Sequence, residues 1–394
     1  MSAAGDAWIV GYARTPFTRA TKGALAAERA DDLLAGLFRS LLAPLPADAG
    51  GRVDEVIVGC AYPEGEQGRN VARAVALGAG LADSVPAMTL TRLCASSLEA
   101  TAIACQRVRL GDASLVLVGG METMSRIPLG GAGASPNPRW LAERPDIYIS
   151  MGRTAERVAR RFDVSRAEQD AWAARSHALA ATARESGVFA GEIEPVTRAG
   201  AADEPAVRED DAIRPDTTLG KLATLKPAFV EDGTVTAGNA CPTSDGASAL
   251  LVASTEKVAA LGLKPLGRYV SYAVAGVDPA LMGVGPVAAV PPALARAGLG
   301  LGDMDRIELN EAFASQVVAV VRELALPDPR VNPNGGAIAL GHPLGASGAR
   351  LVGTLLRELV RSGGRYGLAT LCVGGGMGAA MVLERAVPSP HVSP

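Results

Sequence analysis

The chain has 394 residues, 48% of them hydrophobic and 20% charged, enough to bury a sizeable core in more than one domain. With 38 basic and 41 acidic residues the formal charge is −3, and no basic stripe with interleaved aromatics offers the footprint of a nucleic-acid binder. Five cysteines, an odd number with no CxxC pairing and no His/Cys cluster at ligand spacing, argue against a disulfide framework and a structural zinc site, so no metal is expected.

The N-terminal MSAAGDAWIVGYARTP lacks the charged leader and apolar core of a signal peptide, and no apolar run reaches the length of a membrane span. A cytoplasmic protein without membrane contact is expected. Ala30–Leu42 reads as a helix and residues 53–59 as a buried strand ending at Cys60. Cys94 follows, in Arg92-Leu93-Cys94-Ala95-Ser96-Ser97, at the switch from a short strand to a helix of small and apolar residues. A thiol at a helix N-terminus faces the positive end of the macrodipole, which favours thiolate; the other reading is a buried structural cysteine. Cys105, mid-helix among apolar neighbours, and Cys60 read as core.

After a strand at 114–119, residues 121–245 change character: turns rich in Pro and Gly at 130–138, then charged helices. Ser165-Arg166-Ala167-Glu168 forms a capping box for the helix containing His177. Strands are expected again at 269–276, 304–309 and 367–374, with a helix over 346–361. Strands alternating with helices predict an α/β class with a mostly parallel, buried sheet covered on both faces.

The two ends of the chain are similar. Val53-Asp54-Glu55-Val56-Ile57-Val58-Gly59 reads like Met304-Asp305-Arg306-Ile307-Glu308-Leu309-Asn310, and the Cys94 segment with its helix and strand parallels Gly345-Ala346-Ser347-Gly348 with its own. Two similar halves with an insertion follow: 1–120, an inserted domain over 121–245, 246–268 completing the first half, and 269–394.

Asn310 stands at the C-terminal edge of its strand, where open α/β sheets bind ligands; its amide can serve a developing oxyanion or cap the next helix. Gly341-His342-Pro343 presents one of only three histidines in a glycine-rich loop, an imidazole able to take a thiol proton near neutral pH. Cys372 heads Val373-Gly374-Gly375-Gly376-Met377-Gly378, where glycines let backbone N–H groups approach a ligand. The pattern points to thiol chemistry.

Taken together, Arg92-Leu93-Cys94-Ala95-Ser96-Ser97, Gly119-Gly120-Met121-Glu122-Thr123-Met124-Ser125, Thr236-Ala237-Gly238-Asn239, Asn310-Glu311-Ala312-Phe313, Gly341-His342-Pro343 and Cys372-Val373-Gly374-Gly375-Gly376 resemble the thiolase family, in order and over almost the whole chain. The resemblance implies a duplicated fold with mixed sheets, layered α/β/α/β/α, plus an inserted loop domain. It implies acyl exchange between coenzyme A and a carbon nucleophile, with Cys94 acylated, His342 as its base and Cys372 as second acid/base. Asn310 with His342 would form one oxyanion site, and the backbone N–H groups of Cys94 and Gly374 the other. Coenzyme A would be a substrate, with no tightly bound cofactor, and Met151, Arg214, Phe229, Ala237, Cys241, Met282, Ala312 and Phe313 would contact it or the acyl group.

Three positions depart from the family pattern: Ser150 stands where biosynthetic members carry histidine, and Cys241 and Lys221 where serines contact the coenzyme. Ser150 favours the degradative type, which cleaves a 3-ketoacyl-CoA to acetyl-CoA and a shortened acyl-CoA; the alternative is condensation of two acetyl-CoA. Ketoacyl synthases share the duplication but resemble sets without a second cysteine, and an inactive acyl-CoA-binding homologue would not need Cys94, His342 and Cys372 together. A homodimer or homotetramer is implied.

Overall fold

A computed structural model of the chain describes residues 5–46, 53–201 and 203–386. Residues 1–4 of the stretch searched for a leader, and 387–394 of the second half, lie outside the described residues. The first half runs β1 (Ala7–Arg14), β2 (Thr18–Arg19), α1 (Ala30–Leu42), β3 (Glu55–Cys60), α2 (Val71–Gly78), β4 (Ala87–Leu90), α3 (Ser96–Leu110) and β5 (Leu115–Thr123). Between β5 and its partner strand come α4 (Pro138–Glu143), α5 (Met151–Arg161), α6 (Arg166–Glu185) and α7 (Leu219–Ala223). The half is completed by β6 (Ser244–Ser254) and α8 (Thr255–Ala260). The second half repeats the plan as β7 (Gly267–Gly276), α9 (Gly285–Ala297), β8 (Met304–Leu309), α10 (Ala314–Glu323), α11 (Ala337–Leu340), α12 (Leu344–Ser362), β9 (Tyr366–Val373) and β10 (Met377–Arg385).

The strands form one sheet in the order β4-β3-β5-β6-β1-β7-β10-β9-β8, with β2 on β6. The two halves meet where the equivalent strands β1 and β7 pair, Trp8 opposite Arg268 and Ile9 opposite Gly267. Among the described strands only β3 with β4, β3 with β5 and β8 with β9 run parallel; the middle of the sheet is antiparallel, so the mostly parallel sheet expected from strand–helix alternation is corrected to a mixed one.

Side-chain alternation then dictates the layers. On β5, Leu115 and Leu117 face outward onto Leu34, Leu37 and Phe38 of α1 and Val75 of α2. Val116 and Val118 face inward onto Leu98 of α3 and Leu351, Val352 and Leu355 of α12, which also pack on Leu371 and Val373 of β9. Beyond the second half of the sheet, Ile307 and Leu309 of β8 and Leu368 of β9 pack on Val290 of α9 and Val317 of α10. The result is α/β/α/β/α, with α3 and α12 as the shared middle layer. Each such leucine removed from water contributes about 1.5–3 kcal/mol.

The middle helices touch at backbone distance. A Cβ on Gly348 would stand 2.2 Å from Leu98 N, and Ala349 N donates to Ser97 Oγ at 2.9 Å. Because Cys94 precedes α3 and His342 precedes α12, this contact brings both loops to one end of the molecule. Pro279–Ala297 is long and apolar enough by composition to match a membrane span, contrary to the sequence expectation. It breaks at Leu281, and its apolar side packs on the sheet, as a core helix does.

Candidate active site

After β4 the chain makes one 3₁₀ turn, Leu93–Ala95, with Leu93 in the left-handed region at φ 45°, a conformation that costs a side-chain-bearing residue on the order of 1–3 kcal/mol and concentrates at functional sites. Arg92 N donates to Ser96 Oγ (3.0 Å), which donates to Leu93 O (2.6 Å), so the turn is held from inside. The half-buried Cys94 sulfur at its centre meets the backbone N–H groups of Gly374 and of Cys94 itself. Burial pushes the thiol up to about 11 despite these two donors, and Glu122 adds to the rise. The lowering expected from the helix field is therefore corrected: desolvation of the thiolate outweighs it.

His342 is buried, and Gly341 before it sits at φ 102°, where a Cβ would lie 2.7 Å from Ser244 Oγ. That glycine lets Ser244 Oγ accept the His342 backbone N–H at 3.0 Å. The ring is oriented by Ser347, whose Oγ lies 2.6 Å from Nδ1 and donates to Pro343 O at 2.9 Å. With the single hydroxyl hydrogen on Pro343 O, Nδ1 carries the ring proton and Nε2 the lone pair. Asn310 Nδ2, 3.3 Å away, donates to that lone pair. Burial, aided by Arg350, lowers the imidazole to about 3, so it rests neutral as a base must.

Asn310 N donates to Thr370 O at 3.0 Å, fixing the end of β8 beside β9. Its Oδ1 is buried without a partner among the described residues. Once Nε2 is protonated, half a turn of the carboxamide presents that oxygen to the new N–H. Asn310 does not cap α10; Phe313 occupies the N-cap position.

Cys372, at the end of β9, is buried in a cluster with Met282, Ala312, Phe313, Ala155 and Ala240, against which Met151 packs. A Cβ on Gly374 would lie 3.6 Å from Met151 Sδ. Burial raises the Cys372 thiol well above its ordinary range, and the neighbouring sulfurs of Cys94 and Cys241 raise it further. Cys241, its N–H on Ala312 O at 3.1 Å, is pushed up to about 12 by burial and by Cys94. The three thiols thus stand near enough to raise one another.

The remaining positions named from sequence spread outward along the inserted segment. Phe229 is exposed and meets Phe313 edge-on, ring centres 6.0 Å apart. Arg214 and Ala237 are exposed; Arg214 N donates to His177 Nδ1 at 3.2 Å, and its Nη2 lies 3.0 Å from Nε2. Lys221 pairs with Asp216 rather than with the cavity. Ser244, Ser347 and Glu122 were not singled out from sequence. Glu122 accepts from Ala61 N (2.7 Å), Gln67 Nε2 (2.8 Å) and Gly345 N (3.0 Å), tying the end of β3 to the first turn of α12. The signal available was position: Glu122 follows Gly119-Gly120 and Ser347 stands between Gly345 and Gly348, in segments already quoted from the sequence, whereas Ser244 carried no such mark.

Residues 7–256 match the family model for the thiolase N-terminal domain and 263–385 that for the thiolase C-terminal domain. The chain belongs to the thiolase family. It is therefore an acyltransferase, with the thiolase fold. This thiolase is 48% identical to the 3-ketoacyl-CoA thiolase of Bacillus subtilis (strain 168) and 50% identical to the β-ketoadipyl-CoA thiolase of Pseudomonas putida, in each case over 96% of this chain and 99% of the relative. A crystal structure of human mitochondrial 3-ketoacyl-CoA thiolase in complex with CoA superposes with a TM-score of 0.88 at 38% identity, covering 98% of this thiolase and 99% of that chain.

Proposed function

We propose that this thiolase cleaves a 3-ketoacyl-CoA with coenzyme A, releasing acetyl-CoA and an acyl-CoA shortened by two carbons. The observation that carries the reading is a convergence of groups: Cys94 faces two backbone N–H groups and lies near enough to Cys372 to raise it, Leu344 packs beside Cys94, and two residues before Leu344 a neutral His342 is hydrogen-bonded to Asn310. Because the Cys94 thiol is protonated at neutral pH, its proton must leave as the sulfur attacks, and His342 Nε2 is the neutral acceptor. The attacked C3 carbonyl oxygen becomes an oxyanion held by the N–H groups of Cys94 and Gly374. As the C2–C3 bond breaks, the two-carbon fragment leaves as an enolate, facing the charged imidazole and Asn310, and takes a proton from Cys372. Cys372 then removes the proton of an incoming coenzyme A thiol, whose sulfur attacks the acyl-Cys94 thioester; the Cys94–acyl bond breaks, and the leaving Cys94 sulfur takes back the proton held by His342.

Met282, Ala312 and Phe313, packed with Cys372, are assigned to the acyl group, and Met151, Phe229, Ala237, Cys241 and Arg214 to a path outward for pantetheine and nucleotide, with coenzyme A a substrate in transit. The names of the relatives given above support the degradative direction. A second reading, a substrate with a terminal carboxylate, is favoured by a groove of about 600 Å³ beside the Met282 segment, lined by Arg157, Arg160, Arg161, Asp278, Ala280 and Leu281. Initial rates of thiolysis over a chain-length series of plain and terminally carboxylated 3-ketoacyl-CoA substrates test both. Double-reciprocal plots should be parallel, as a two-stage transfer gives. Absence of cleavage for every substrate at any coenzyme A concentration would overturn the proposal.

A further inference from the structure

One buried carboxylate gathers the backbone on which Asn310 and His342 stand. Glu311 is fully buried between β8 and α10, and each of its oxygens accepts two hydrogen bonds. Oε1 takes them from Trp172 Nε1 (2.9 Å) and Asn332 Nδ2 (2.9 Å), Oε2 from Ser176 Oγ (2.6 Å) and Ile338 N (3.2 Å). Ser176 Oγ also accepts Gly336 N at 3.0 Å, and a Cβ on Gly336 would stand 2.2 Å from Glu311 Cδ. Asn332 in turn clamps the end of β8, exchanging two hydrogen bonds with the backbone of Leu309. The donors therefore come from α6 of the inserted segment, from the loop after α10 and from α11, whose chain runs directly into Gly341-His342.

A buried carboxylate is costly, and no arginine, lysine or histidine among the described residues forms an ion pair with this one. Four donors offset that cost, but an apolar side chain with apolar neighbours would make a core at least as stable. What the carboxylate adds is direction, since four hydrogen bonds to a charge fix three chain segments relative to each other. The next residue of α6, His177, carries Arg214, so adjacent positions on one helix join the outer end of the coenzyme path to the loop of the base.

We propose that Glu311 is a positioning residue of the thiolase reaction, setting where Asn310 and His342 stand relative to Cys94 and locking that geometry to α6. The inference rests on the acyl-transfer reading above. In Glu311→Gln one oxygen becomes an NH₂ group facing donors, while Ser176→Ala keeps the charge and three donors and removes the link to α6 and Gly336. Thiolysis kcat is expected to fall about tenfold or more in Glu311→Gln and several-fold in Ser176→Ala, because small misplacements of catalytic groups are amplified in rate. KM for coenzyme A should stay within about twofold, since the coenzyme contacts are untouched.

Cys94 alkylation by iodoacetamide, which needs no substrate, should slow in parallel if the surroundings of the thiol are set by this hub. Unchanged kcat and unchanged alkylation in variants whose circular dichroism matches the parent would overturn the proposal, as would a loss of melting temperature alone. If Glu311→Gln does not fold, Ser176→Ala decides. If the unaltered chain cleaves no 3-ketoacyl-CoA, the functional reading fails, while the alkylation rates still judge the positioning role.

Discussion

Cys94 and His342 owe their working states to burial rather than to the electrostatics of their own elements. Both stand protonation-matched, a thiol held at about 11 and an imidazole held at about 3, so no resting thiolate–imidazolium pair forms. Iodoacetamide labelling of Cys94 should therefore climb about tenfold per pH unit from pH 7 to 10, because the thiolate fraction rises by that factor below its pKa. A plateau below pH 8 would contradict it. Stability should respond to acid through the same residues. His342 and His177, held down to about 3 and about 4 by burial, bind fewer protons when folded than the unfolded chain does below about pH 6.5. Folding stability then falls as pH drops, by up to about 1.4 kcal/mol per unit for each histidine until its folded value is passed. Melting curves at pH 7, 6, 5 and 4 check the slope; a flat or rising stability would refute it. At this scale His342 and Cys372 were legible as rare, reactive residue types among glycines, Cys94 by its place at a strand-to-helix switch and Asn310 by its place at the end of a strand. The direction of the Cys94 shift was not, because desolvation depends on what other segments cover the sulfur.

Elements were legible where a period or a cap is local. The helix Ala30–Leu42 has the expected bounds, and Ser165 with Glu168 makes the expected capping box. Strand direction was not legible: β5 and β6 pair antiparallel across the whole inserted segment, so neither a short turn nor a crossover helix announces the pairing. By contrast β9 and β10 are joined by the glycine run after Cys372, which serves the hairpin and the thiol together. The α11–α12 junction depends most on a single backbone position. Gly341→Ala would place a Cβ against Ser244 at a φ that side chains rarely adopt, costing roughly 1–3 kcal/mol and breaking the bond that holds the His342 backbone. Thiolysis should fall more steeply than melting temperature; a variant of parental activity would show that the loop tolerates another path.

For the whole molecule, the duplication was visible in sequence because each half needs the same pattern of apolar strands around a mostly buried helix. The shared middle layer explains why Ser97 of one half and Ala349 of the other are bonded across the pseudo-symmetric centre. Surface association is less legible, yet Trp140 and Leu141 on α4, with Ile147 and Tyr148 after it, leave apolar area exposed on this 40.1 kDa chain. We propose a homodimer or homotetramer, for which light scattering should return two or four chain masses; a monomer at micromolar concentration would contradict it. The acyl-enzyme itself offers the most direct trial of the account. Brief incubation with acetyl-CoA, acid quench and peptide mass mapping should find one acetyl group, on the peptide carrying Cys94, and none in Cys94→Ala. Acetyl on Cys241 or Cys372 instead, or on no cysteine at all, would show that the cavity does not work as described.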